Sequence, residues 1–186
     1  MPEKQLSEEA KWFLRNLQKL QDDFAENIGA QIVTTDIEGN LITKMSGQQR
    51  VCQIIQKTEK GKTACQKAYR TALSLVKTMK EPAFMDCHAG LASLWVPIKV
   101  RGEIVGSITG CGGRYDRGES EEELKKKFTA KAEELGIKEE DMDEYLEAAG
   151  EVKVITEEEM RKRAERLAKL VGILAEETAL REAFGV

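Results

Sequence analysis

The sequence predicts one mixed α+β domain, flanked by an N-terminal helix and a long C-terminal helix. Three observations support this prediction. Apolar residues recur at helical spacing near both ends of the 186-residue chain, apolar and polar residues alternate at strand spacing in its middle, and turn and capping signals separate the two patterns. A chain of this length buries a hydrophobic core without needing a disulfide or a metal ion to fold.

The first part of the chain alternates helix and strand signals. Apolar positions at helical spacing predict a helix over 3–28. Residues 30–36 are rich in β-formers, a turn signal follows, and 41–45 reads as a second short strand, so we expect a hairpin here. A helical pattern then covers 48–79, and Gly61 divides it into two predicted helices.

The second of these helices carries a predicted capping box, in which Thr63 is the N-cap and Gln66 stands three residues later. This start would place Cys65 at the second position of the helix. The helix dipole and the free N–H groups there stabilise a thiolate, the form that binds metal or attacks a substrate.

Strand patterns dominate the middle of the chain and helices return after it. Alternation predicts strands at 83–87, 91–100 and 103–111, with a turn at Arg101-Gly102 between the last two. Capping and stop signals predict three further helices, over 121–135, 139–149 and 157–183.

The last predicted helix carries a heptad-like seam. Its members follow one another at spacings of 4, 3, 4, 3 and 4: Met160, Ala164, Leu167, Val171, Leu174 and Thr178. Such a seam packs either against the domain's own sheet or against the same helix of a second copy. We expect a homodimer formed through this helix, which passes a signal.

Composition narrows the classes of function. The formal net charge is −4, so nothing favours binding to nucleic acid or to an anionic membrane. The first residues contain no apolar segment of a signal peptide, and no run of about 18 apolar residues occurs, so we expect a cytoplasmic protein. Structural disulfides are uncommon in that reducing compartment, which leaves free, metal-binding or redox-active thiols.

The four cysteines are the first candidates for chemistry. Cys52 and Cys65 fall on consecutive predicted helices, and Cys87 and Cys111 end strands of one sheet. Helices laid over one end of the sheet would bring all four together. Each thiol is also small enough simply to fill core space. Four thiolates otherwise suit an iron–sulfur cluster of the 4Fe–4S or 2Fe–2S type, or an all-cysteine zinc site.

The single histidine, His88, follows Cys87 directly. In an extended strand these two side chains point to opposite faces, which argues against a thiolate–imidazole pair. The glycines around Cys111 instead allow a backbone to approach something bulky closely.

Several short motifs follow one another in a distinctive order. An apolar strand leads into Asp-x-x-Gly at 36–39, Cys52 and Cys65 lie on the next two helices, and Cys-His-Ala-Gly-Leu stands at 87–91. Val-Pro-Ile at 96–98, Gly-Glu-Ile-Val-Gly at 102–106 and Gly-Gly at 112–113 complete the series. Over roughly residues 15–180 the chain therefore resembles the PocR sensory-domain family.

This resemblance implies a PAS-like antiparallel five-stranded sheet with helices over one face, enclosing a small-molecule pocket. It also implies a role in bacterial or archaeal signal transduction, sensing of small organic compounds such as short diols, and a helix-turn-helix, histidine kinase or chemoreceptor output. The family pattern has cysteine at Cys52, Cys65 and Cys87 and histidine at His88. Cys111 stands where many members have another residue, which favours a cluster here over a plain diol sensor.

We therefore expect one sensory domain over 1–186, with its core at about 15–155, either stand-alone or part of a larger signalling protein. The expected cluster ligands are Cys52, Cys65, Cys87 and Cys111, with 4Fe–4S preferred and zinc less favoured. The expected ligand-binding residues are His88, Tyr69, Trp95 and Gly110.

Three alternatives stay open. The thiols line a metal-free pocket for a diol-like ligand, or zinc staples an interaction domain. In the third, the chain is a cysteine-dependent redox enzyme in which His88, Asp86, Tyr69 or Tyr115 supplies an acid or base. No complete catalytic motif supports the enzyme, so we expect a protein that is not one.

Overall fold

A computed structural model describes residues 6–174 and residue 185 of the chain, and these contain six α-helices and five strands. The helices are α1 (Glu8–Ile28), α2 (Arg50–Lys57), α3 (Glu59–Met79), α4 (Glu121–Leu135), α5 (Met142–Gly150) and α6 (Glu157–Leu174). The strands are β1 (Gln31–Asp36), β2 (Ala83–Asp86), β3 (Ala92–Val100), β4 (Glu103–Tyr115) and β5 (Val154–Ile155). A 3₁₀ turn at Glu139–Asp141 precedes α5.

The strands form one open sheet in the order β2-β3-β4-β1, and every neighbouring pair in that order is antiparallel. The short β5 runs parallel to the end of β4, where Tyr115 pairs with Ile155. Arg101 and Gly102 form the predicted turn between β3 and β4, and both have positive φ, as a tight hairpin turn requires. The predicted α+β class with a five-stranded sheet is confirmed.

The two faces of the sheet belong to different cores, because successive side chains of a strand point in opposite directions. On one face, Ile32 and Leu94 pack with residues of α1 and α6. On the other face, Val33 and Trp95 pack against α3. Beside α3, helices α2, α4 and α5 form a third apolar cluster around Leu91. The flanking helices thus cover the face opposite to the four central helices.

The seam of α6 packs against the chain's own sheet. Met160, Ala164 and Leu167 are buried in the same core as the β3 residues. The side chains of Val171 and Leu174, residue Thr178 and the predicted helix end at 183 lie outside the described residues. The first half of the heptad pattern therefore results from packing within the domain.

The fifth strand is not the one that the sequence predicted. Residues 41–45 form no strand, and only isolated bridges occur there, at Thr35–Leu41 and Ile32–Ser46. Some backbone hydrogen bonds to β1 remain, as from Ile42 N to Thr34 O at 3.0 Å, but Thr34 N donates to the side-chain atom Thr43 Oγ1 at 3.0 Å and the ladder is interrupted there. The strand that does complete the sheet, β5, has two residues and is too short to show alternation.

Among the residues that the structure describes, none of the helices combines the length and the apolar character needed to cross a membrane.

Candidate functional site

Four elements of the fold each bring one cysteine to the same place. Cys52 lies in α2, Cys65 in α3, Cys87 directly after β2, and Cys111 in β4. In the sheet, Cys111 pairs with Gln31, and this register turns its side chain toward α3. Helices over one end of the sheet therefore do bring the four thiols together.

The thiols line one cavity of about 30 Å³ between the sheet and the two helices α2 and α3. A space of this size has room for about one or two water molecules. The other residues that line it are Gln31, Ile55, Gln56, Ala68, Tyr69, His88, Leu91 and Trp95.

Burial raises the pKa of all four thiols. The pKa of Cys52 is raised to about 12 and that of Cys65 to about 11, first by burial and then by the neighbouring Cys87. Burial also raises the pKa of Cys87 and of Cys111, and for Cys111 the other three thiols add to the shift. These mutual effects connect all six pairs of the four cysteines. The thiols are therefore protonated at neutral pH and close enough to repel one another as thiolates.

Cys65 does not lie at a helix start, so that prediction was wrong. Helix α3 begins at Glu59, and its N-cap is Thr58, whose hydroxyl accepts a hydrogen bond from Gly61 N at 2.9 Å. Thr63 therefore lies inside the helix, and Cys65 is almost two turns from its start. The helix dipole falls off within the first turn, which leaves burial to set the protonation of this thiol.

His88 faces the same cavity as Cys87, which corrects the prediction that the two point apart. The strand ends at Asp86, and the next four residues form a tight turn in which Gly90 N donates to Cys87 O at 2.9 Å. In this turn, strand alternation no longer applies. His88 Nε2 lies 3.4 Å from Cys65 Sγ, so the histidine contacts a thiol from a different element.

Several polar atoms around the cavity have no hydrogen-bond partner among the described residues. They are Gln31 Oε1 and His88 Nδ1 in the cavity wall, and Tyr145 OH on α5. Tyr145 is fully buried, and its pKa is raised first by burial and then by Cys87 and Cys52. Buried polar atoms without partners are rare in folded proteins, and they mark places where a ligand or water completes the structure.

Tyr69 and Trp95, which were predicted to bind a ligand, both line the cavity and make an edge-to-face contact with centroids 5.2 Å apart. Gly110, predicted beside them, lies instead on the opposite face of the sheet, where it borders Leu94 and Met160. It neighbours Cys111 in sequence, and adjacent strand residues face apart.

Gln31 and Gln56 were missed by the sequence analysis, although both line the cavity. Gln31 is 94 % buried in an apolar strand, since only 6 % of it is exposed, and a polar residue in such a strand is a detectable signal. Gln56 belongs to a helix rich in polar residues, and its amide bonds to the Cys65 thiol, an effect that opposes the burial-driven rise of that pKa. No pattern in the sequence singles it out.

The cavity has a donor set of sulfur and imidazole and no carboxylate among its lining residues. As the side chains are placed, no group of three or more His, Cys, Asp or Glu residues in the described part of the chain stands closely enough to hold a single metal ion.

An open five-stranded sheet with helices on both faces is the arrangement of a PAS-like fold, and the cysteine-lined cavity lies between one face and its covering helices. The family model described as the sensory domain found in PocR matches residues 13–179, and the chain belongs to this family.

The chain is also similar to the regulatory protein PocR of Salmonella typhimurium (strain LT2), with 27 % identity over 96 residues. The matched region is 52 % of this chain and 31 % of that protein, so the likeness spans less than a third of the longer relative.

Proposed function

We propose that the cysteine-lined cavity is the sensory site and that Cys52, Cys65, Cys87 and Cys111 hold an iron–sulfur cluster there. One observation carries the proposal: four cysteines from four separate elements line a single cavity. Core packing alone gives no reason for four thiols to share one cavity. Such a cluster supplies a redox-active centre whose potential depends on burial and hydrogen bonding.

The lining residues fit such a group. All-cysteine ligation is the usual way in which proteins hold these clusters, and the cavity brings in no competing carboxylate.

Zinc is the alternative metal for an all-cysteine site, and metal analysis distinguishes it from a cluster.

A short series of contacts connects this cavity to α6. Gly113 lies two residues after Cys111 in β4, and a Cβ at Gly113 would overlap the side chain of Ile155 in β5. The next residue, Thr156, accepts a hydrogen bond from Glu159 N at 3.1 Å and so caps α6. A change in the position of Cys111 therefore displaces the start of α6 with few intermediate contacts. The name of the similar regulatory protein supports the proposal that this helix leads to a regulatory output.

A metal-free sensor of small organic molecules is the second candidate. The unpartnered atoms Gln31 Oε1 and His88 Nδ1 favour it, because a hydroxyl group of a bound ligand would satisfy both. A thiol enzyme has less support. A nucleophilic cysteine needs a lowered pKa, and the described thiols all have raised values.

The decisive experiment is anaerobic purification followed by a visible spectrum and analysis of iron, sulfide and zinc. The proposal expects a brown protein containing iron and sulfide, and loss or rearrangement of the spectrum in Cys111→Ser. Ser46→Ala is the matched control, since it changes a buried polar side chain that does not line the cavity.

The outcomes separate the candidates. A colourless protein with one bound zinc supports the zinc-stapled domain. A protein that takes up no metal even after anaerobic reconstitution with iron and sulfide rules out the cluster and leaves the metal-free sensor. A normal spectrum in Cys111→Ser, Cys52→Ser and Cys87→Ser would equally contradict the proposed ligand set.

A further inference from the structure

A second, larger groove adjoins the cysteine-lined cavity. Its volume is about 320 Å³, near the lower end of the range for small-molecule sites. It shares three wall residues with the cavity: Gln56, Cys65 and Tyr69. The rest of its wall comes from α3 and from the segment between β1 and α2: Gly39, Asn40, Leu41, Met45, Lys62, Gln66 and Arg70.

The charge of this groove differs from that of the whole chain. The chain has more acidic than basic residues, 33 against 29, yet the groove is lined by two cations and no carboxylate. Lys62 pairs with Glu59 at the rim at 2.7 Å. Arg70 makes no ion pair or hydrogen bond with any residue that the structure describes, and its exposed side chain begins beside the turn at Gly39. A guanidinium without such a partner is available to pair with an anion.

The loop wall of the groove is fixed to α1 by a buried polar network. Gln21 Nε2 donates to Lys44 O at 2.7 Å and to Ser46 Oγ at 2.8 Å. The hydroxyls of Thr34 and Thr43 donate to Gln21 Oε1 at 3.0 and 2.8 Å. These contacts join the loop that carries Met45 to α1 and to β1.

We propose that this groove binds a small organic carboxylate, with its anionic group on Arg70 and its carbon chain directed toward Leu41, Met45 and the Cys65 wall. Gln56 and Gln66 supply further amide groups for hydroxyl or keto oxygens of the ligand. The anionic group of the ligand depends on Arg70, which does not line the cysteine-lined cavity, so this proposal can be tested separately from the cluster.

The test is calorimetric titration of the full chain with acetate, lactate, pyruvate and succinate, and with lactamide as the uncharged isostere of lactate. Metal content is measured in parallel on the same samples, so that failure here is distinguishable from failure of the cluster proposal. We expect at least one carboxylate to bind, lactamide to bind about tenfold or more weakly than lactate, and Arg70→Gln to weaken carboxylate binding about tenfold or more.

Arg166→Gln is the matched control, because it removes the same charge from an exposed helical position outside the groove. It should bind like the wild type, and both variants should unfold at the wild-type temperature, since both side chains are exposed. The inference is overturned if no carboxylate binds at millimolar concentration, if lactamide equals lactate, or if Arg70→Gln binds as tightly as Arg166→Gln.

Discussion

Burial decides the chemical state of each cysteine in this domain. A thiol at the start of a capped helix, which the sequence predicted for Cys65, would be a reactive thiolate. The thiol actually lies in the wall of a small cavity, and burial there raises its pKa to about 11 instead of lowering it. A protonated thiol is a poor nucleophile and must lose its proton before it binds a metal. The cysteine thiols that line the cavity are therefore poor nucleophiles at neutral pH.

This protonation predicts slow alkylation of the metal-free protein. A shift of the Cys65 pKa from 9.0 to about 11 lowers its thiolate fraction about 100-fold at pH 7.5. Iodoacetamide should therefore modify Cys65 and Cys52 at about one hundredth of the rate in urea-unfolded protein, or more slowly, as followed by mass spectrometry. Rapid modification of folded protein would show that the cavity is open to solvent.

The raised thiol pKa values also determine how the stability of the fold depends on pH. A thiol whose pKa is raised by folding favours the folded state fully at pH values below its ordinary value of 9.0. As the pH rises from there toward about 11, the unfolded thiols ionise and the folded ones do not, so stability falls. The unfolding midpoint in urea should accordingly drop between pH 9 and pH 11, and Cys52→Ala should reduce this drop.

The sequence was sufficient to propose that the four thiols meet, because their elements could be placed one by one. The sequence was not sufficient to predict which other side chains lie beside the thiols. The position of His88 depends on a four-residue turn that ends β2 one residue earlier than predicted. Gln56 enters the site only because α2 and α3 meet at a sharp corner, and such a tertiary angle leaves no periodic pattern in the sequence.

At the scale of elements, that corner positions two of the four cysteines. Thr58 ends α2 and caps α3, and its hydroxyl also donates to Leu135 O at 2.7 Å, which ties the corner to α4. Gly61 lies at the inside of the corner, where a Cβ would overlap the carbonyl oxygen of Ile55 and come within 2.7 Å of Thr58 Oγ1. Gly61 was predicted to break the helix, and its actual role is to let the two helices approach.

Gly61→Ala should therefore destabilise the fold by about 1–3 kcal/mol, the usual cost of overpacking a tight contact. Gly150→Ala is the control, since Gly150 ends α5 and a Cβ there meets nothing within 4 Å. The control should leave stability unchanged or raise it by a few tenths of a kcal/mol. Urea unfolding measures both, and equal midpoints for the two variants would contradict the packing described for the corner.

At the scale of the whole molecule, the sheet lies between the two proposed sites and the flanking helices α1 and α6. The cysteine-lined cavity and the groove lie on the α3 side, while α1 and α6 lie on the other. Each of the two proposed sites is connected to one of these flanking helices by a different set of contacts. Gly113 and Ile155 connect the cavity to α6, and Gln21 connects the groove wall to α1. If both proposed sites bind their ligands, these links would let the domain combine two signals.

This arrangement bears on whether α6 forms a dimer through its heptad seam. The described part of the seam is already buried against β3, so a second copy can reach those residues only if α6 leaves the sheet. Leu167→Ala should therefore destabilise the monomer fold by about 2–5 kcal/mol, as other buried leucine truncations do. Leu75→Ala, at a position on α3 that is 40 % exposed, is the matched control and should cost less than about 0.5 kcal/mol.

The measurement pairs urea unfolding with light scattering after size exclusion. If the seam serves the domain's own core, Leu167→Ala lowers the unfolding midpoint at every protein concentration and leaves the molar mass of the folded protein unchanged. If the seam is a dimer interface, the same variant halves the molar mass, and the midpoint of the wild type rises with protein concentration because association stabilises the folded state by mass action. Since Met160, Ala164 and Leu167 share one core with the β3 strand, we expect the first result.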